Sequence, residues 1–192
     1  METTHPEPVR LLIVPGLHDS PPGHWQSWLQ SHHPQAVRVH QRDWATPDLE
    51  RWAARVGAAL ERGGRARWLV AAHSFGVLAL LRHLQREPQA PLAAALLVAP
   101  ADPDKFGVGA LLPPGPLALP ATLVLSANDP WLPAAVGQRW ARRWGCYVEM
   151  LGSAGHINLA SGFGPLPLAE RWLRAQQQRL AAPLDLESSE FA

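Results

Sequence analysis

Four short, nearly unbroken apolar runs, each followed by a stretch of helical period or a loop, limit what this chain can fold into. They are Leu11–Val14, Arg67–Ala72, Leu92–Ala99 and Thr122–Leu125. A strand carries such a run when both of its faces are buried, the condition of a parallel sheet covered by helices on each side. Val37-Arg38-Val39-His40 and Cys146-Tyr147-Val148-Glu149-Met150 alternate instead, which suits the two opposite edge strands. Between the runs, Asp48 can cap a helix bearing Trp52, Val56 and Leu60 on one face, ended by Gly63-Gly64. Val136, Trp140 and Trp144 line a later helix, and a last one from about Pro165 presents Ala169, Trp172, Leu173 and Leu180. Right-handed crossovers then predict a three-layer α/β domain of about six parallel strands. The domain is expected over residues 10–180, after an N-terminal extension at 1–9 and before a disordered acidic tail at 181–192.

Composition removes several function classes. With 47% hydrophobic and 17% charged residues the chain is globular, and a net charge of +1 does not suit a dedicated nucleic-acid binder. Arg51, Arg55, Arg62, Arg65 and Arg67 read as a solvated helix face and its following loop. The single cysteine, Cys146, cannot build a disulfide framework. Met1–Arg10 has no apolar signal core, and Leu92–Ala99 is too short to span a membrane, so a cytoplasmic protein is expected. One lysine, Lys105, among 17 Lys and Arg residues points to a GC-rich bacterial genome. His24, His32, His33 and His40 lack the spacing and the thiolates of a zinc site, so no metal is expected. Gly63-Gly64 has no following Lys-Ser/Thr and makes no phosphate loop.

The chemistry is concentrated at Ala72-His73-Ser74-Phe75-Gly76, between the apolar run ending at Ala72 and the helix-like Val77–Leu81. A serine on a strand–turn–helix junction with small residues two positions to either side reads as a nucleophile elbow. Serine is a poor nucleophile near neutral pH and needs a histidine held by a carboxylate. On such a sheet the acid and then the base follow the serine along the chain, each just after a strand. Asp129 in Ser126-Ala127-Asn128-Asp129-Pro130 and His156 in Gly155-His156-Ile157-Asn158 meet that order. Asp102 and Asp104 also follow a strand and compete for the carboxylate role, but in the less usual position. His73 points to the opposite face of its strand and is expected to be a structural hydrogen-bonder. The oxyanion donors are expected to be the amides of Phe75, after the nucleophile, and Leu17, in the turn after the first strand where Pro15 has no N–H.

Pro100–Pro120 contains six prolines with Phe106, Leu111, Leu112 and Leu117 among them. It is read either as a short cap or acyl-pocket wall, or as a surface excursion. Phe106, Leu111 and Leu112, with Trp131 two residues after Asp129, are the pocket candidates.

These residues resemble the retinoblastoma-binding protein 9-like (YdeN-like) family of small serine hydrolases. The shared stretches are Val14-Pro15-Gly16, His24-Trp25-x-x-Trp28, Ala72–Gly76, Ser126-x-Asn128-Asp129-Pro130-x-x-Pro133, and Gly155-His156-Ile157-Asn158 with Ser161-Gly162-Phe163-Gly164. The match runs from about residue 10 to about residue 175. The resemblance implies a three-layer α/β-hydrolase fold with a minimal cap or none, and a triad at Ser74, Asp129 and His156. Ala72 stands where the family usually has glycine. The retinoblastoma-binding motif Leu-x-Cys-x-Glu is absent around Cys146, so that partner does not carry over. The expectation is a cofactor-independent, carboxylesterase-like hydrolase of small or medium esters or amides. A non-catalytic binding protein on the same fold and an acyltransferase are the alternatives.

Overall fold

The apolar runs become the strands of one sheet. In the computed structural model, which describes residues 7–182, β1 (Val9–Val14), β2 (Val37–Arg38), β3 (Arg67–Ser74), β4 (Leu92–Pro100), β5 (Ala121–Leu125) and β6 (Tyr147–Met150) form a sheet of order β2-β1-β3-β4-β5-β6. All pairings are parallel. The alternating segments at Val37 and Tyr147 occupy the two edges, where one flank faces solvent and an unbroken apolar run is not required. β1 begins at Val9, inside the expected extension, and most of the expected acidic tail lies outside the described residues.

Helices α1 (Trp25–His32) and α5 (Pro167–Ala181) cover one face, and α2 (Leu49–Arg62), α3 (Phe75–Arg86) and α4 (Ala134–Trp144) cover the other. The strands split between the two cores by parity, because successive side chains point to opposite faces. Leu12, Val14, Val70, Ala72, Leu97 and Leu123 meet α2–α4, while Leu11, Ile13, Leu69, Ala71, Leu96 and Val124 meet α1 and α5. Asp48 caps α2 by accepting from the Arg51 amide at 3.0 Å. Gly145 ends α4 in the left-handed region, at φ 67°. Helix α1 is the element that periodicity did not predict. Its buried side is Trp25, Gln26 and Leu29, and the glutamine interrupts the apolar stripe.

Pro100–Pro120 is laced onto the domain. The Leu111 carbonyl accepts from Arg82 at 3.0 Å, the Pro114 carbonyl from Arg143 at 3.2 Å, and Leu117 N–H donates to Trp144 at 2.9 Å. It therefore rests on α3 and α4, with its first residues lining the sheet edge. Among the described residues no helix is long and apolar enough to cross a membrane.

Candidate active site

The strand ends converge where β3 turns into α3. Ser74 sits at φ 54°, ψ −124°, a conformation that costs a non-glycine residue on the order of 1–3 kcal/mol. The turn is possible because its neighbours are small. A Cβ on Gly16 would come within 2.7 Å of the Ser74 Cβ. A Cβ on Gly76 would strike the Pro15 carbonyl and lie 2.6 Å from the Val14 oxygen. Ala72, in place of the usual glycine, is fully buried and stands in register between Val14 on β1 and Leu97 on β4. Gly76→Ala is expected to cost about 1–3 kcal/mol by overpacking, read as a lower urea midpoint; an unchanged midpoint would contradict the contact.

Ser74 Oγ donates to His156 Nε2 at 2.8 Å. His156 Nδ1 donates to Asp129 Oδ2 at 2.9 Å and Oδ1 at 3.1 Å. A carboxylate only accepts, so the proton belongs on Nδ1 and the Nε2 lone pair is left for the serine. Asp129 Oδ1 also accepts from the amides of Trp131 at 2.9 Å and Leu132 at 3.4 Å, which fixes the carboxylate plane. Asp129 and His156 are 8% and 7% exposed, so the bonds between them are shielded from water. Asp102 spends Oδ1 on the Asp104 amide at 3.0 Å, and Asp104 pairs with Arg139 at 3.1 Å. Asp129 is the carboxylate that reaches His156.

The loop carrying His156 is pinned by residues whose work the sequence did not reveal. Asn128 Oδ1 accepts from the Gly155 amide at 2.7 Å, and Ser126 Oγ accepts from the Ala154 amide at 3.0 Å. Ser161 Oγ accepts from the His156 amide at 3.0 Å. His73 Nε2 donates to the His156 carbonyl at 3.0 Å, the structural role expected of it. Ser126 and Asn128 thus tie the Asp129 loop to the His156 loop, and Ser161 closes the His156 loop on itself. Their spacing in the chain marks them as a group, but the bonds span up to 28 residues.

Leu17, His18, Ser74, Ala101, Asp102, Lys105, Phe106, Trp131, His156 and Asn158 surround a cavity of about 290 Å³. Phe106 leans on Phe75 with ring centroids 5.0 Å apart, and Phe75 on Trp52 at 5.1 Å, so this wall is anchored in the core. Trp131 is 60% exposed with its ring 6.5 Å from His156, and its carbonyl accepts from Lys105 Nζ at 2.6 Å. Leu111 and Leu112 stand elsewhere. Leu112 turns into the α3 core at 2% exposure, and Leu111 sits on the short 3₁₀ turn Gly109–Leu111 facing solvent. The segment therefore walls the cavity only through Ala101, Asp102, Lys105 and Phe106. Phe75 begins α3, so its N–H is one of the helix's free donors; the Leu17 amide has no acceptor among the described residues.

A model of the serine hydrolase family matches residues 11–175. The chain belongs to the serine hydrolase family. This hydrolase is similar in structure to a protein of Pectobacterium atrosepticum described as YdeN-like, at 33% identity and TM-score 0.83, over 90% of this chain and 92% of that one. It is also similar to the ydeN product of Bacillus subtilis at 20% identity and TM-score 0.70, over 90% and 99%. An esterase of Rhodococcus, RhEst1, shares the fold at 14% identity and TM-score 0.62, over 91% of each chain. No curated protein matches the chain. The YdeN-like assignment and the α/β-hydrolase sheet expected from the residues agree with these likenesses.

Two histidines behind the hydrolase's site are kept neutral. Burial, and after it Arg38, lowers His24 to about 4, and burial followed by the nearby His156 and His24 pushes His73 well below its ordinary range. Below pH 6.5 the unfolded chain binds protons at these positions that the folded chain refuses. Stability therefore rises with pH between about 4 and 6.5 and is lost on acidification through that window. The urea midpoint is expected to fall from pH 7 to pH 5, and less steeply in His24→Asn, which keeps an acceptor for the cap of α1. Equal midpoints at the two pH values in the unaltered protein would contradict the buried neutral state. Cys146 has its thiol pushed up to about 12 by burial, so it carries no thiolate at neutral pH.

Proposed function

We propose that this hydrolase cleaves small or medium carboxylic esters through an acyl-enzyme on Ser74. The single observation that carries the reading is the unbroken bond chain Ser74–His156–Asp129 at 2.8 and 2.9 Å. His156 takes the serine proton as Oγ attacks the carbonyl carbon, and the oxygen becomes an anion facing the amides of Leu17 and Phe75. Asp129 keeps His156 in the accepting tautomer and stabilises its cation. His156 then gives the proton to the leaving alcohol, and water, activated by the same imidazole, releases the acid. No step needs a cofactor.

The cavity sets the scale of the acyl group. About 290 Å³ is at the small end of ligand sites, which supports short to medium chains between Phe106 and Trp131. Hydrolysis of p-nitrophenyl acetate, butyrate, octanoate and palmitate tests this. Turnover is expected to be highest for acetate or butyrate and to fall at palmitate; a maximum at palmitate, or no turnover of any ester, would overturn it. Adding methanol to the butyrate assay separates hydrolysis from acyl transfer. Butyric acid is expected as the main product, and methyl butyrate in excess would favour the transferase.

A further inference from the structure

Gln26 is fully buried on α1, and no step of the proposed reaction uses it. Its Nε2 donates to two main-chain carbonyls, Val14 at 3.1 Å and Ala71 at 3.0 Å. Its Oε1 accepts from Ser20 Oγ at 2.6 Å. Only an NH2 group can serve two carbonyls at once, so the partners fix which way the amide faces.

The two carbonyls belong to neighbouring strands, Val14 as the last residue of β1 and Ala71 three residues before the end of β3, and Val14 pairs with Ala72. Past Val14 the chain enters the turn Pro15-Gly16-Leu17, and Pro15 has no N–H with which to extend the ladder. Past Ala71 it runs to Ser74 and Phe75. The placing of the Leu17 amide relative to the Phe75 amide therefore depends on how β1 and β3 lie against each other at this end of the sheet. Gly76 is packed directly on the Val14 and Pro15 carbonyls, so a shift of either strand end moves α3 against the turn.

Ser20 is itself held. Its amide donates to Asp19 Oδ1 at 2.7 Å, and its carbonyl accepts from Arg38 at 2.6 Å and from Ser27 Oγ at 2.6 Å. Arg38 also pairs with Asp19 at 2.8 Å. His18 and Asp19 stand at φ 66° and 62°, strain that persists where surrounding bonds over-determine the backbone. The turn bearing Leu17 is thus tied to β2 by Arg38 and to β3 by Gln26.

We infer that Gln26 is a positioning residue that sets the separation of the two oxyanion donors. The inference rests on the reading of Ser74 as nucleophile. Donors must already stand where the charge will form, to within about 0.5 Å, and a shift of about 1 Å costs on the order of 10²-fold in rate.

Gln26→Leu keeps the volume and removes the amide, and Ser20→Ala keeps the amide and removes the bond that orients it. Each variant is compared with the unaltered protein on p-nitrophenyl butyrate, with active serines counted by fluorophosphonate titration. Inhibition by an alkyl trifluoromethyl ketone, whose adduct places an oxyanion in the hole, is measured alongside. For Gln26→Leu, kcat per titrated serine is expected to fall about 10²-fold with KM within about twofold, and the ketone to weaken by the same factor. Ser20→Ala is expected to lose about tenfold with the same proportionality, and it decides the question if Gln26→Leu does not fold. A purely structural glutamine would lower the melting temperature and the fraction of active protein, leaving turnover per serine and ketone affinity intact. That result, or a loss confined to KM, would overturn the inference. If the unaltered protein takes no fluorophosphonate, the hydrolytic reading fails, and this inference fails with it.

Discussion

Ser74→Ala is expected to lower kcat on p-nitrophenyl butyrate by about 10⁶-fold, or about 8 kcal/mol of transition-state stabilisation. The size follows from the role. Without Oγ there is no acyl-enzyme, and only the oxyanion donors and binding remain to favour attack by water. The fold should be unaffected, because alanine occupies the same strained backbone at φ 54° and among the described residues Oγ bonds only to His156. A steady-state assay with a matched thermal unfolding curve checks this. A variant retaining more than about a hundredth of the activity would show that another group carries the attack.

Asp129→Asn is expected to cost about 10⁴-fold in kcat with KM little changed. The reason lies in the two amides of Trp131 and Leu132 that donate to Oδ1. They would hold the asparagine oxygen in the same place and turn its NH2 toward His156 Nδ1. That nitrogen must then accept, the proton moves to Nε2, and the imidazole no longer has a lone pair for Ser74. The loss is therefore a tautomer effect, expected without a comparable loss of stability. Asp102→Asn, which leaves the Asp129–His156 pair untouched, is expected to fall far less. A larger loss for Asp102→Asn than for Asp129→Asn would point to Asp102 as the working carboxylate.

Much of this was legible in the residues, for identifiable physical reasons. Strands buried on both faces must be apolar throughout, so Leu11–Val14, Leu92–Ala99 and their partners stand out, and alternation marks the two edges. A turn as sharp as that at Ser74 admits only small flanks, which made the elbow visible despite Ala72. Helix α1 was not legible because one of its three buried residues is Gln26, and a polar residue on the buried side erases the stripe.

The Pro100–Pro120 segment shows the other limit. Without a repeating geometry, nothing local decides which apolar side chain turns inward. Phe106 reached the cavity by leaning on Phe75, whereas Leu112 found the α3 core and Leu111 found solvent. The Ser126, Asn128 and Ser161 bonds were hidden for a related reason. Those of Ser126 and Asn128 join segments 28 and 27 residues apart, that of Ser161 folds the His156 loop back on itself, and a motif shows which residues act together without showing what they bind.

The most direct test of Ser74 as nucleophile is mass mapping of the protein after reaction with a fluorophosphonate. One adduct is expected, on the peptide containing Ala72–Gly76, with its phosphorus on Ser74 and none in Ser74→Ala. Absence of any adduct on the folded protein, or an adduct that persists in Ser74→Ala, would contradict the account.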